Sequence, residues 1–360
     1  MDDAPAPAPP RDDAGRPTDA APAAQADASS APPGRYRLLE WSLWLLRMGP
    51  GLILIVLVLV INGLTPLFLT PRNLGNVLAQ TAVISVLAMG QLLVILTRGV
   101  DLSVGSVVAL GSVAGGLVFS RGGSGAAVIL TMLAVGLGVG LINGLVYVVG
   151  RIPHPFIVTL AMLSIARGFA LWLSDGRVLP GMPPAVQTIG GASLGRLPLS
   201  SLVVAGLAVA VFLLCTRMLW GRWIYAVGGN PDAARRTGIP VGRVLVSVYA
   251  LSGLAAGIGA VLIAGRTDAG SPNFGTLAEL DSIAAVVIGG ASFLGGRGNV
   301  GNALVGALMI GVIRNALNLL NIDAFFQLIA IGVVIVVAVQ SDVLRTHLEA
   351  RFRVARAARS

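Results

Sequence analysis

The chain of 360 residues has two histidines, His154 and His347, and one cysteine, Cys215. The histidines stand alone, and Cys215 sits inside an apolar run, so no disulfide framework or Cys/His metal spacing is available. No Ser/His/Asp, paired-Asp or His-Glu-x-x-His arrangement occurs, which argues against an intramembrane enzyme. A G-x-x-x-x-G-K-[ST] phosphate loop is also missing. GGASFLGGRGNVG (289–301) is glycine-rich but carries no Lys-Ser/Thr pair. No catalytic, cofactor-binding or metal-binding residue is therefore expected on this chain.

The chemistry that remains is that of arginines and a few acids, and one stretch gathers them: GGNPDAARRTGIP (228–240). Gly228-Gly229 reads as a flexible turn. Asn230 is a favoured N-cap, and Pro231 suits the first helical position. Asp232 falls in the first turn, where the helix dipole favours an acid, and Arg235 and Arg236 fall near the end, where it favours cations. Gly238 ends the helix and Pro240 prevents its continuation. The pattern predicts a short, self-capped helix over 231–237. Ala233 and Ala234 between charges suit docking against a partner.

The elements that must position this helix are membrane spans. The composition is 55% hydrophobic and 11% charged, against about 25% charged in a soluble domain. Apolar runs lie near 48–68, 74–96, 102–120, 125–149, 155–173, 199–219, 243–264, 281–295, 300–320 and 324–341. The expectation is an all-α polytopic membrane protein of about ten transmembrane helices. The eighth run is short and glycine-rich, so it is expected to be re-entrant or packed against its neighbours. Residues 1–34 are Ala/Pro/Asp-rich and expected to be disordered; 35–344 form the transmembrane domain and 345–360 a basic tail. All 25 basic residues are arginine and the formal charge is +9. With the N-terminus inside, only Arg72, Arg121, Arg177, Arg196 and Arg266 fall on outer loops, while most others fall on inner segments. This bias places both termini in the cytoplasm. The arginines thus read as orientation signals, and no nucleic-acid partner is expected.

Small residues recur in GSVAGG (111–116), GLGVGLINGL (136–145) and SGLAAGIGA (252–260), the spacing that lets helices approach closely. TRGVDLSVGSVVALG (97–111) and GRGNVGNALVGALMIG (296–311) echo each other on two inner turns, which fits an ancient repeat or shared composition alike. Asp101 is expected to cap the third span. Gln91, Asn143, Thr159, Arg167, Arg314, Asn315 and Asn318 lie within spans and are candidates for a translocation path, with interhelical hydrogen bonding as the competing use. Arg167 or Arg314 is expected to pair with Glu279 or Asp281, which begin the eighth span. These two acids, with Arg72, Arg177, Arg196 and Arg266, are the candidates for docking an outer partner.

Asp232-Ala233-Ala234-x-x-x-Gly238 resembles the EAA…G coupling loop of ATP-binding-cassette importer permeases, with Asp in place of Glu. RGVDLSVGS (98–106), RIPHPFIVTLAMLSIARG (151–168), GGNPDAARRTGI (228–239), ELDSIAAVVIGGASFLGGRGNVGNALVGA (279–307) and NALNLLNI (315–322) together resemble the ribose/xylose-type monosaccharide permeases of the branched-chain-type superfamily. The resemblance spans about residues 45–342. It makes Asn230, Asp232, Ala233, Ala234, Arg235, Arg236 and Gly238 an ATPase-coupling loop. Arg98, Gly99, Asp101, Ser103 and Gly105 become an inner-turn motif, with arginine at 98 where the family commonly has glycine. It further implies a dimer of permeases in a bacterial inner membrane, and a cytoplasmic ATPase carrying ATP and magnesium on one or two nucleotide sites. An extracytoplasmic binding protein would deliver a monosaccharide. An ATP-driven permease for a branched-chain amino acid, a nucleoside or a furanone-type signal is the alternative. An ion-coupled transporter is disfavoured, because the acids lie near span ends.

Overall fold

Short polar or proline signals start the apolar helices. Thr70 caps the helix Pro71–Leu96, Ser124 the helix Gly125–Val149 and Asn299 the helix Val300–Leu319, each side chain accepting a main-chain N–H of the first turn. The structure, a computed structural model, describes residues 49–323 and scattered residues between 325 and 340. All belong to the compact unit Met48–Thr346. In chain order the elements are α1 (Gly49–Leu64), α2 (Pro71–Leu96), α3 (Val104–Ser120), α4 (Gly125–Val149) and α5 (Pro155–Leu173). Next come β1 (Leu179–Pro180), α6 (Pro184–Gly191), β2 (Ser193–Leu194), β3 (Leu197–Pro198), α7 (Leu199–Arg217) and α8 (Leu219–Gly229). The last are α9 (Pro231–Arg236), α10 (Val241–Thr267), β4 (Ala269–Gly270), α11 (Ala278–Ile288) and α12 (Val300–Leu319). The strands are two-residue antiparallel clips, β1 with β4 and β2 with β3.

Six helices, α2, α4, α5, α7, α10 and α12, are long and apolar enough to cross a membrane; α1 and α3 are shorter apolar helices. The chain is thus a mostly helical, multi-pass membrane protein. The expected span at 281–295 is not one helix: α11 stops at Ile288 and residues 289–299 are irregular. The expected tails 1–34 and 345–360 and most of the run 324–341 lie outside the described residues. The stretch between the fifth and sixth runs, in which no helix was expected, contains α6, too short for a hydropathy window to register.

The bundle is organised around α2 and α10, whose side chains are largely buried. Helices α4, α5 and α7 present leucine, isoleucine and phenylalanine outward, among them Leu130, Ile157, Phe169 and Phe212. Between helices in lipid, apolar burial drives little association, so close van der Waals packing carries the contact. The α4–α10 seam shows this. A Cβ at Gly140 would come 2.3 Å from the Tyr249 carbonyl, and one at Gly253 would come 2.2 Å from that of Gly136. The small residues of GLGVGLINGL and SGLAAGIGA are spent on bringing these two backbones together.

Candidate functional site

Helix α9 matches its sequence pattern closely. The Asn230 side chain accepts from the Asp232 and Ala233 N–H groups at 3.1 and 3.0 Å. At the other end Gly238 has φ +83°. Its N–H donates to Arg235 and that of Ile239 to Ala234, both at 3.1 Å, the paired bonds of a Schellman ending. Asp232 and Arg235 are 3.6 Å apart and exposed, a pair worth at most about 1 kcal/mol. One detail differs from expectation. Ala233 is exposed, but Ala234 is buried against the bundle, so the outward surface is Ala233 with its flanking charges.

Where α9 begins, three glycine-bearing segments meet. A Cβ at Gly228 would lie 1.7 Å from the Leu96 carbonyl and 2.6 Å from the Gly296 nitrogen. Gly296 donates its N–H to Leu96 at 2.9 Å. Arg98 donates Nε to the Gly228 carbonyl at 2.6 Å and a terminal nitrogen to the Gly229 carbonyl. The Tyr225 hydroxyl donates to Gly298 at 2.8 Å. Burial, then the neighbouring Cys215, pushes that hydroxyl up to about 12, so it remains a donor at ordinary pH. The Arg-Gly turns of the two echoing segments therefore lie against each other, through Leu96 and Gly296 and through Arg98 and Gly295, beside the start of α9.

Behind this junction the chain from 97 to 103 is irregular, with Arg98 exposed and Thr97, Gly99, Asp101 and Ser103 buried, the last two each 1% exposed. Irregular backbone inside a membrane bundle persists only where protein groups satisfy it. With its amide turned so that the nitrogen faces the Asp101 carbonyl, the orientation that pairs donors with acceptors, Gln91 on α2 bonds both main-chain groups of Asp101, at 3.1 and 3.2 Å. Thr159 on α5 donates to the Val100 carbonyl at 3.1 Å. Asn143 on α4 donates to the Ser103 hydroxyl at 2.9 Å, and that hydroxyl donates to Asp101 Oδ1 at 2.7 Å. Ser252 on α10 donates to Asp101 Oδ2 at 2.8 Å. The α3 N-cap is Ser103 rather than Asp101, and the aspartate instead anchors the turn that leads to it. Gln91, Asn143 and Thr159, singled out as path residues, thus converge on the same turn as the Arg98–Gly105 motif. Ser252 was missed by sequence reasoning, because within SGLAAGIGA it reads only as one more small residue.

A second polar group lies at the start of α11. Arg314 donates to Asp281 at 2.6 Å, one of the pairings anticipated. Arg167 instead donates to the carbonyls of Pro272 and Phe274. Glu279 is 8% exposed, and a Cβ at Gly105 would come within 2.2 Å of its Oε2. Glu279 and Asp281 are therefore buried in the bundle, not arrayed with the docking arginines. Asn315 exchanges hydrogen bonds with Asn73 at 2.8 and 2.9 Å, tying α12 to α2. Asn318 accepts from Gln327 at 2.8 Å. Of the four candidate docking arginines, Arg72, Arg196 and Arg266 line one cleft of about 560 Å³, while Arg177 stands apart. Gly105 and Gly228 have in common that backbone space, not a side chain, is their contribution.

Residues 73–339 match a family model described as "Branched-chain amino acid transport system / permease component". The chain is 39% identical to the ribose import permease protein RbsC of Escherichia coli strain K12 over 305 residues, covering 83% of this chain and 94% of that one. It is 39% identical to the Bacillus subtilis strain 168 ribose import permease over 82% of this chain and 92% of the relative. It is 35% identical to the Escherichia coli K12 D-allose transport system permease protein AlsC, over 88% and 96%. No solved structure matches the chain. With the family model matching most of the chain, and relatives aligned nearly end to end, the protein belongs to the branched-chain-type transport-system permease family.

Proposed function

We propose that this chain is the membrane permease subunit of an ATP-binding-cassette importer for a monosaccharide of the ribose, allose or arabinose kind. The observation that carries the reading is the 39% identity to ribose import permeases across 94% of their length. Helix α9 is the docking knob for a cytoplasmic ATPase, with Asn230, Asp232, Ala233, Arg235, Arg236 and Gly238 at its surface or its caps. Its rigid, doubly capped form supports that role, since a frayed helix transmits displacement poorly. ATP and magnesium bind the partner, because the sequence holds no phosphate loop. The permease works as a homodimer in a bacterial inner membrane with both termini cytoplasmic, as the arginine bias suggests.

Movement of α9 acts on α8 and α10 and, through the glycine junction, on the turns 97–103 and 289–299. The bundle then alternates between openings on its two sides. An extracytoplasmic binding protein docks on the opposite end through acids that meet Arg72, Arg196 and Arg266, a cleft whose lining contains no acid. Arg167, Arg314 and Asn318 remain the candidates for contact with solute along the path.

The test is reconstitution of the permease with its ATPase and binding protein in proteoliposomes, with labelled ribose, D-allose, L-arabinose and leucine offered in turn. Uptake of a pentose or hexose that requires ATP and loaded binding protein is expected. Uptake of leucine alone would transfer the assignment to the amino-acid substrates of the family description.

A further inference from the structure

Arg98 occupies a place that its backbone does not favour. Its φ is +67°, the left-handed region that glycine enters freely and a β-carbon resists. What the arginine gains there is specific. Its guanidinium spans the carbonyls of Gly228 and Gly229, donating to both. Gly229 is the last residue of α8, so these carbonyls belong to the helix end where acceptors lack intrahelical partners and a cation is favoured. The next residue is Asn230, the N-cap of α9.

The arginine's own base is equally constrained. Thr97 and Gly99 both donate to the Val94 carbonyl, at 3.0 Å. A Cβ at Gly295 would come 2.5 Å from Arg98 Cγ, so the second irregular turn lies on the arginine's stem. Three residues on, Asp101 is tied to α2 and α10 by Gln91 and Ser252. Helix α9 itself buries only Ala234.

We infer that Arg98 is a positioning residue that clamps the α8–α9 elbow to the 97–103 turn, so that a displacement of α9 moves both irregular turns together. A planar guanidinium fork suits two neighbouring carbonyls better than a point-charge ammonium does. The inference rests on α9 being the ATPase-docking element proposed above.

The test compares Arg98→Gly and Arg98→Lys with the unmodified full chain, in two measurements. Glycine relieves the left-handed backbone, so the variant is not expected to misfold. In the first, hydrogen exchange is followed on the purified permease, whatever it transports. Arg98→Gly should raise exchange in 97–103 and 226–237 together, with other segments unchanged; no change in either segment overturns the clamp. In the second, sugar transported per ATP hydrolysed is measured in proteoliposomes with the ATPase and binding protein. Arg98→Gly should keep ATP hydrolysis but lower the ratio about tenfold or more, the scale of losing hydrogen bonds to a charged group. Arg98→Lys should fall between. A ratio equal to the unmodified protein's overturns the coupling role. If the unmodified complex shows no ATP-driven uptake, the transport reading fails, while the exchange result still decides the clamp.

Discussion

The turns at 97–103 and 289–299 both interrupt the helical bundle, and both carry an Arg-Gly pair, yet they are built by opposite means. The first is held by side chains. Gln91, Asn143, Thr159 and Ser252 reach it from four helices, and the carboxylate of Asp101 accepts from three donors. The second is held mainly by backbone and close glycine packing, with side-chain ties from Tyr225 to Gly298 and from Ser292 to the Leu294 N–H. Gly290, Gly295 and Gly296 have φ between +70° and +83°, and Ser292 bonds back to the main chain of Arg297 at 3.0 Å. Leu294 at its tip is 71% exposed. A side-chain lock fails when a group is removed, whereas a glycine lock fails when one is added. The first therefore tolerates no loss of a side chain, and the second no gain of one.

The largest expected effect of breaking this contrast is at Asp101. Asp101→Ala leaves the Ser103 N–H, the Ser103 hydroxyl and the Ser252 hydroxyl without their acceptor in a site that is 1% exposed. Each orphaned buried donor costs about 1–3 kcal/mol, so a total loss of about 3 kcal/mol or more is expected. Asp101→Asn keeps one acceptor oxygen and should lose clearly less. Thermal unfolding of the purified protein in detergent reads both. An alanine variant that unfolds at the unmodified temperature would mean the turn is not anchored by this carboxylate.

The second effect is at Gly228, where addition rather than removal is the damage. Alanine is a better helix former than glycine by about 1 kcal/mol, so propensity alone would make Gly228→Ala stabilising. Its Cβ, however, would sit 1.7 Å from the Leu96 carbonyl, a backbone atom that cannot swing aside. Overpacking of this kind costs about 1–3 kcal/mol and is expected to win. The variant should also lose protection of the Gly296 amide, because the segments must separate. A rise in melting temperature would show that the junction has slack.

Why one lock was legible in the sequence and the other only in part follows from the same contrast. The α9 helix was readable to its caps, since Asn230, Pro231, Asp232 and Gly238 act on their own neighbours. Asp101 stood out as an acid in an apolar chain, and Arg314 with Asp281 as charges needing partners. The convergence of Gln91, Asn143 and Thr159 on one turn was not readable, because their partners lie 10 or more residues away in sequence and each fits a path or a packing role equally. Ser252 carried no signal at all. The burial of Glu279 and Asp281 depends on α11 starting inside the bundle, and a hydropathy run shows where a helix begins but not whether that end is buried. Glycine counts announced close packing but not which glycine faces which backbone.

A smaller effect should separate Asn143 from Asp101 within the first turn. Asn143→Ala removes one donor to the Ser103 hydroxyl, which still keeps its own bond to Asp101. The loss is expected at about 1 kcal/mol, read as a modest drop in melting temperature. A loss as large as that of Asp101→Ala would make the asparagine, not the aspartate, the centre of the lock.

The smallest effect is expected at Gly238, where the two uses of glycine come apart. Gly228 is needed for space, while a Cβ at Gly238 would meet nothing within 4 Å; what Gly238 supplies is its φ of +83°. Alanine there pays the left-handed penalty alone, about 1 kcal/mol. Asparagine, which tolerates that region, should cost less than about 0.5 kcal/mol. Because α9 is a single short helix capped at both ends, the loss should stay local. Global unfolding should then barely move, while the Ile239 amide, bonded to Ala234 at 3.1 Å, exchanges faster in Gly238→Ala than in Gly238→Asn. Equal exchange in the two variants would mean that α9 takes its shape from the bundle behind Ala234 and not from its own cap. The docking role would then depend on the elbow at Gly228 more than on the helix it leads into.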